Sequence, residues 1–250
     1  MQTGVPLTKI RKEIGPDAAP RMVDRYSVEN YDRLIDSPLM YCKPDTAVIR
    51  VGNTEVLIGS YSPNGKITAK EIANTVREVL QAQTQYLGGK LPVDKYAFIF
   101  YFTDKQIKTY GALEHWYSSF YYMPELKITQ MQRQLRDFAA HEFFHIVTPL
   151  NIHSEEIQQF GFNDPKMSKH LWMYEGVTEY FAGNVQVKYG LITPDEYLNV
   201  IRQKMLTADG FIDDVPFTDI SRFTLDKYAD QYYKRLSERR IDWNVHGHQA

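Results

Sequence analysis

Cysteine is nearly absent from this 250-residue chain: Cys42 is the only one, so no disulfide can form within it. It reads as a small buried hydrophobe. Long apolar runs are absent too. The longest strongly apolar run, around Tyr96 to Phe102, falls well short of the ~20 residues of a membrane-crossing helix and reads as a buried strand. The opening residues MQTGVPLTKIRKEIG contain no apolar leader segment. No block of like charge occurs before the last seventeen residues, and the net charge is −2. That balance argues against nucleic acid or an anionic membrane as the main partner. What is there suits a globular domain: 43% of residues are hydrophobic, and 18 tyrosines make any core or cleft rich in rings.

Residues 1–40 are polar, Pro-dotted and weakly periodic. Strand-like runs follow at Ala47–Val51 and Glu55–Gly59, joined by the hairpin signal Gly52-Asn53. A helix is expected from Thr68, with a capping box completed by Glu71 and an end at Gly88-Gly89. Tyr96–Phe102 is a further strand, and Gly111 to Met123 an extended stretch. Three helices are expected next, over about Thr129–Thr148, over about Ser168–Tyr189, and from the Thr193-Pro194-Asp195-Glu196 start signal. Strands first and helices second imply an α+β domain.

His141-Glu142-Phe143-Phe144-His145 lies within the first of these helices. A spacing of four puts both imidazoles on one face, about 6 Å apart at Cβ. Two imidazoles so placed can share one tetrahedral zinc ion. Glu142 can hold a water on that metal and accept its proton. A catalytic zinc takes three protein ligands and keeps one position open. The run Trp172-Met173-Tyr174-Glu175-Gly176 supplies Glu175 as third ligand, and Glu179, one turn later, as acceptor for the free N–H of a ligating histidine. His115, His153 and His170 lack metal-ligand spacing to one another and read as structural.

The runs HEFFHIVTPLNIHSEE and LWMYEGVTEYFAG resemble the glycyl aminopeptidase family of zinc metallopeptidases. These are gluzincins related to aminopeptidase N and thermolysin, and the likeness covers about residues 25 to 233. It implies a thermolysin/aminopeptidase-like domain with an N-terminal β-sheet part and a mainly helical C-terminal part. It also implies one Zn²⁺ and a peptide substrate with a free N-terminus, cleaved after a small first residue, Gly or Ala. Gly111-Ala112-Leu113-Glu114 resembles the family's substrate strand. Gly111 and Ala112 would pair with the peptide backbone there, and Glu114 would meet its amine. DRLIDSPLMY, from Asp32 to Tyr41, resembles the junction between an N-terminal β-domain and the peptidase domain. The expected division is therefore 1–40 as linker or remnant of a β-domain, 41–233 as a catalytic domain incomplete at its C-terminus, and 234–250 as a non-homologous tail read out of frame. The alternative is an inactive fragment that binds zinc or peptide without turnover. Compartment stays open, although full-length relatives are often exported.

The tail KRLSERRIDWNVHGHQA lacks the Tyr and Lys-Gly pair that the family carries past its third helix. One permitted back-translation of the tail, read one base later, gives NVYQKGALIGMCMDIK, which contains them. The expectation is a frameshift after about Tyr233. Sequencing the coding DNA across this point tests it. An open frame encoding Lys-Gly one base away is the expected result, and its absence contradicts the idea.

Overall fold

The structure, a computed structural model, describes residues 7–11, 22–43, 45–164 and 168–208. Two short strands, β1 (Leu7–Arg11) and β2 (Met22–Tyr26), pair antiparallel with each other. A one-turn helix α1 (Tyr31–Ile35) follows, N-capped by the side chain of Asn30.

The main sheet contains β3 (Asp45–Val51), β4 (Thr54–Tyr61), β5 (Lys95–Thr103), β6 (Gly111–His115) and β7 (Ser118–Pro124), in the order β3-β4-β5-β7-β6. β3 and β4 form a hairpin across Gly52-Asn53, with Gly52 at φ 57°. The chain then crosses through helix α2 (Ala69–Tyr86), so β4 and β5 run parallel, as do β5 and β7. β6 pairs antiparallel with β7 at one edge. The stretch expected to extend from Gly111 to Met123 is therefore a hairpin. Its turn falls at Trp116-Tyr117, which carries none of the Gly or Asn that usually announces one.

β5 is central and buried on both faces. Phe98, Phe100 and Phe102 point into the main core with Tyr121 and Met123, while Ala97 and Ile99 pack beneath Met40 on the other face. Its rings stack closely, with centroids 5.8 Å apart for Phe100 and Phe102 and 4.2 Å for Phe100 and Tyr121. α2 starts with the capping box of Thr68 and Glu71 that its sequence announces. Its buried stripe of Ile72, Val76 and Leu80 lies against this core.

The helical half comprises α3 (Ile128–Phe144), the single turn α4 (Glu155–Gln158), α5 (Leu171–Lys188) and α6 (Pro194–Ala208). Met131, Leu135, Phe138, Ala139 and Phe143 bind α3 to the sheet's core. On its other side, Ala140 and Phe144 meet Ala182 and Val185 of α5. α3 ends at Phe144, not Thr148. Pro149 disfavours helical backbone at Thr148, and the chain tightens through bonds from Ile146 N–H to the Phe143 carbonyl and Val147 N–H to the Phe144 carbonyl. His145 keeps helical φ and ψ of −61° and −14°, so its side chain continues the helix face.

Glu125 follows β7 and is 3% exposed. Its carboxylate accepts from Ser62 Oγ, from Asn64 N–H (2.8 Å) and from Asn64 Nδ2 (2.7 Å), fixing the turn before α2. Burial pushes this carboxyl up, but the donors at Ser62, Asn64 and Lys66 outweigh it and hold the pKa at about 2. A depressed folded-state pKa gives stability that is present above the unfolded value of 4.5 and is lost as pH falls toward 2. Glu125→Gln is expected to lower unfolding free energy by about 1–3 kcal/mol at pH 7. The deficit should shrink toward zero near pH 2, as measured by urea unfolding at both pH values.

Candidate metal centre

His141 and His145 project from α3 toward α5, which carries Glu175 and Glu179 one turn apart. All four side chains are wholly or half buried, with His141 9% and His145 4% exposed. Both histidines are fixed at Nδ1. For His141 the partner is Glu179 Oε2 at 2.7 Å. For His145 it is the Thr148 carbonyl at 2.7 Å, which also accepts from Thr178 Oγ1 at 3.3 Å. With Nδ1 engaged, each ring turns Nε2 inward. Glu175 Oε2 lies 3.1 Å from Nε2 of His141 and 3.7 Å from that of His145. His141, His145 and Glu175 thus bring one ligand atom each within 4.8 Å of the others. Glu114, Glu142 and His145 form a second such group.

The frame holding these residues is built from distant parts of the chain. Gln83 of α2 donates to the Ala140 carbonyl at 2.7 Å, and the buried Tyr96 hydroxyl donates to the Glu142 carbonyl at 3.2 Å. Gly183 allows α6 to approach α5, since a Cβ there would stand 2.9 Å from the Tyr197 ring. α6 in turn carries Lys204, whose Nζ lies 2.6 Å from Glu179 Oε1.

Burial pushes the His141 imidazolium down, but hydrogen bonds to Glu175 and Glu179 outweigh it and raise the pKa to about 10. Burial lifts Glu142 to about 8; His141 opposes this, while Glu114, Glu175 and Glu179 add to it. Burial also raises Glu114, against the pull of His145. For Glu175 burial acts upward, but His141 and His145 hold it below its ordinary value. Oε2 of Glu142 is buried with no hydrogen-bond partner among the described residues. Such an atom costs free energy unless an ion, a water or a substrate meets it. Two imidazoles aimed inward, a converging carboxylate and an orphaned acid beside them fit a divalent metal with an adjacent water.

The structure brings Glu114 to this cluster but leaves Gly111 and Ala112 outside it. Gly111 and Leu113 pair with Tyr122 and Phe120, and all four line a cavity of about 300 Å³ with Tyr110. Leu113 alternates with Glu114 along the strand, so this cavity lies toward the sheet face opposite the metal ligands. Sequence reasoning missed Lys204, Thr148, Thr178 and Tyr96. The spacing of Glu179 and Lys204 carries no local signal, and nothing local marks the Thr148 carbonyl as a partner of His145.

The architecture is that of aminopeptidase-like proteins. An aminopeptidase N family protein from Idiomarina loihiensis matches with a TM-score of 0.68 at 18% identity, over 92% of this chain and 39% of its own. The chain therefore spans about two fifths of that protein's length. Residues 134–242, less than half of the chain, match the model of the M61 glycyl aminopeptidases, the family that the runs HEFFHIVTPLNIHSEE and LWMYEGVTEYFAG resemble. The matched stretch covers His141, Glu142, His145, Glu175 and Glu179, and leaves Glu114 outside. It ends inside the tail set apart from residue 234, which, like the expected missing Lys-Gly position, lies outside the described residues. No curated protein matches the chain. No helix among the described residues is long and apolar enough to cross a membrane.

A raised His141 pKa contributes stability that is fully present below the unfolded value of 6.5 and is lost as pH rises through about 10. Metal uptake must displace that proton. Calorimetric titration of the metal-free chain at pH 7.5, in buffers of different ionisation enthalpy, is expected to show proton release on metal binding. Affinity should rise about tenfold per pH unit across this window. Binding with no proton released and no pH slope contradicts the assignment.

Proposed function

We propose that the chain is the catalytic part of a zinc-dependent aminopeptidase that releases small N-terminal residues, Gly or Ala, from peptides. The observation that carries this reading is the convergence of His141 Nε2 and His145 Nε2 on Glu175 Oε2, with the buried, unpartnered Oε2 of Glu142 beside them. His141, His145 and Glu175 would hold the metal, and two histidines with one carboxylate form a donor set typical of catalytic zinc. When bound, the metal supplies Lewis acidity and lowers the pKa of a coordinated water.

The remaining chemistry belongs to side chains of this chain. Glu142 takes the proton of the attacking water and later delivers it to the leaving amine. Burial and neighbouring carboxylates hold its pKa up, which suits a group that must both accept and release a proton near neutrality. Glu179 and the Thr148 carbonyl keep the two imidazoles in orientation through Nδ1, and Lys204 restrains Glu179.

Glu114 would receive the substrate's ammonium group. Its carboxylate and that of Glu142 stand together near His145. A cation arriving between them lowers the cost of keeping both ionised in a buried site. The free edge of β6, which has a strand partner only in β7 among the described residues, offers backbone groups to an extended peptide. The preference for Gly or Ala rests on the family resemblance, and the matching family model is that of the glycyl aminopeptidases.

Bound zinc and hydrolysis of glycyl and alanyl amides, measured on the wild type and on Glu142→Gln, test the reading. About one zinc per chain is expected in both proteins. In Glu142→Gln, kcat should fall by about 10²–10⁴-fold. Glu114→Gln should instead raise KM for substrates with a free amine. Activity that survives Glu142→Gln contradicts the assignment, as does a chain that takes up no zinc.

A further inference from the structure

Resting on that reading, we propose that Asp36, with Arg33, is a positioning residue for substrate recognition: it clamps the β6–β7 hairpin so that Glu114 faces the metal ligands. β6 is a five-residue strand at the edge of the sheet, hydrogen-bonded on one side only among the described residues. Short edge hairpins are held weakly by their own ladder. Yet Glu114, in this strand, must lie within 4.8 Å of ligand atoms on Glu142 and His145, both anchored in α3. Something outside the ladder has to fix the strand.

That contact comes from α1. The carboxylate of Asp36, at the end of α1, meets His115 Nδ1 at 3.0 Å through Oδ1. Its Oδ2 accepts the backbone N–H of Trp116 at 2.9 Å. Less than one turn earlier, the Arg33 guanidinium lies over the face of the Trp116 ring. His115 and Trp116 are the two residues directly after Glu114. The side chains of Asp36 and His115 are only 20% and 15% exposed, so the pair is partly shielded from water and salt.

α1 is itself tied down. The Ser37 hydroxyl donates to the Arg33 carbonyl at 2.7 Å. Four residues beyond Asp36, Met40 is buried against Ala97 and Ile99 of the central strand. A continuous path thus runs from the core of the sheet through Met40 and Asp36 to the residue next to Glu114. The clamp lies within residues 1–40, which the sequence reading separates from the catalytic domain. A peptidase unit cut at residue 41 would keep every metal ligand and lose the device that aims its substrate strand.

The test uses the full chain loaded with zinc, comparing wild type, Asp36→Ala and Asp36→Asn. Asparagine can still accept from the Trp116 N–H. Amide hydrogen exchange across residues 111–118 and the separate values of KM and kcat for a glycyl amide are the readouts. In Asp36→Ala, exchange at Leu113 to Trp116 should accelerate and KM rise about tenfold, as expected for loss of a charge-assisted contact. Zinc content and kcat should stay within about twofold, and Asp36→Asn should recover most of the loss. Unchanged exchange in β6 overturns the clamp, and so does faster exchange with KM unaltered. A joint fall of kcat and zinc content overturns it too, because that marks a merely structural role. Should Asp36→Ala fail to fold, Arg33→Gln carries the same expectations through the Trp116 stack. A wild type that takes up zinc but turns over nothing contradicts the aminopeptidase reading alone. Exchange at Leu113 to Trp116 then decides the clamp by itself.

Discussion

Glu114, Glu142 and Glu175 crowd around two imidazoles, and the ammonium of Lys204 on the neighbouring α6 is engaged by Glu179. Buried carboxylates in such number repel one another and must be protonated, paired or met by cations. The raised values of Glu114 and Glu142 and the proton held on His141 are the metal-free answer to that constraint. Much of the surrounding architecture bears on it. α3 and α5 are packed through Ala140, Phe144, Ala182 and Val185, a set of small and flat contacts that lets acidic and basic faces meet. Gln83 and Tyr96 hold the backbone of α3 at Ala140 and Glu142, beside the residues whose placement matters.

Much of this was legible in the sequence because it depends on local spacing. His141 and His145 share a face through helical period alone, and so do Glu175 and Glu179. The hairpin at Gly52-Asn53 and the box at Thr68 and Glu71 follow from backbone preferences that neighbouring residues set. What was not legible depends on contacts far apart in the chain. Lys204 reaches Glu179 across the α5–α6 contact, where Gly183 leaves room for the Tyr197 ring. The turn at Trp116-Tyr117 carries no turn chemistry of its own; it is held from outside by Asp36 and Arg33. The end of α3 was misplaced by four residues for a related reason. The helix pattern continues through Ile146 and Val147, but Pro149 pulls the preceding backbone away, and the Thr148 carbonyl returns to His145.

Sequence and fold also divide the chain differently. The family match begins at residue 134, within α3, whereas likeness of fold extends over 92% of the chain. The strands that would meet the substrate therefore lie where the architecture is shared and the family pattern is not matched. The aromatic-lined cavity beside β6 belongs to the other face of the sheet, away from Glu114. The two faces of one edge strand thus carry different surfaces: acidic toward the helices, aromatic away from them.

The central claim concerns which of two overlapping ligand groups takes the metal, since His145 belongs to both. A crystal of the zinc-loaded chain, with an anomalous difference map recorded at the zinc edge, tests this most directly. The account predicts a single strong peak coordinated by His141 Nε2, His145 Nε2 and Glu175, with Glu142 close by but not bound. A peak held by Glu114 and Glu142 in place of Glu175 would contradict it.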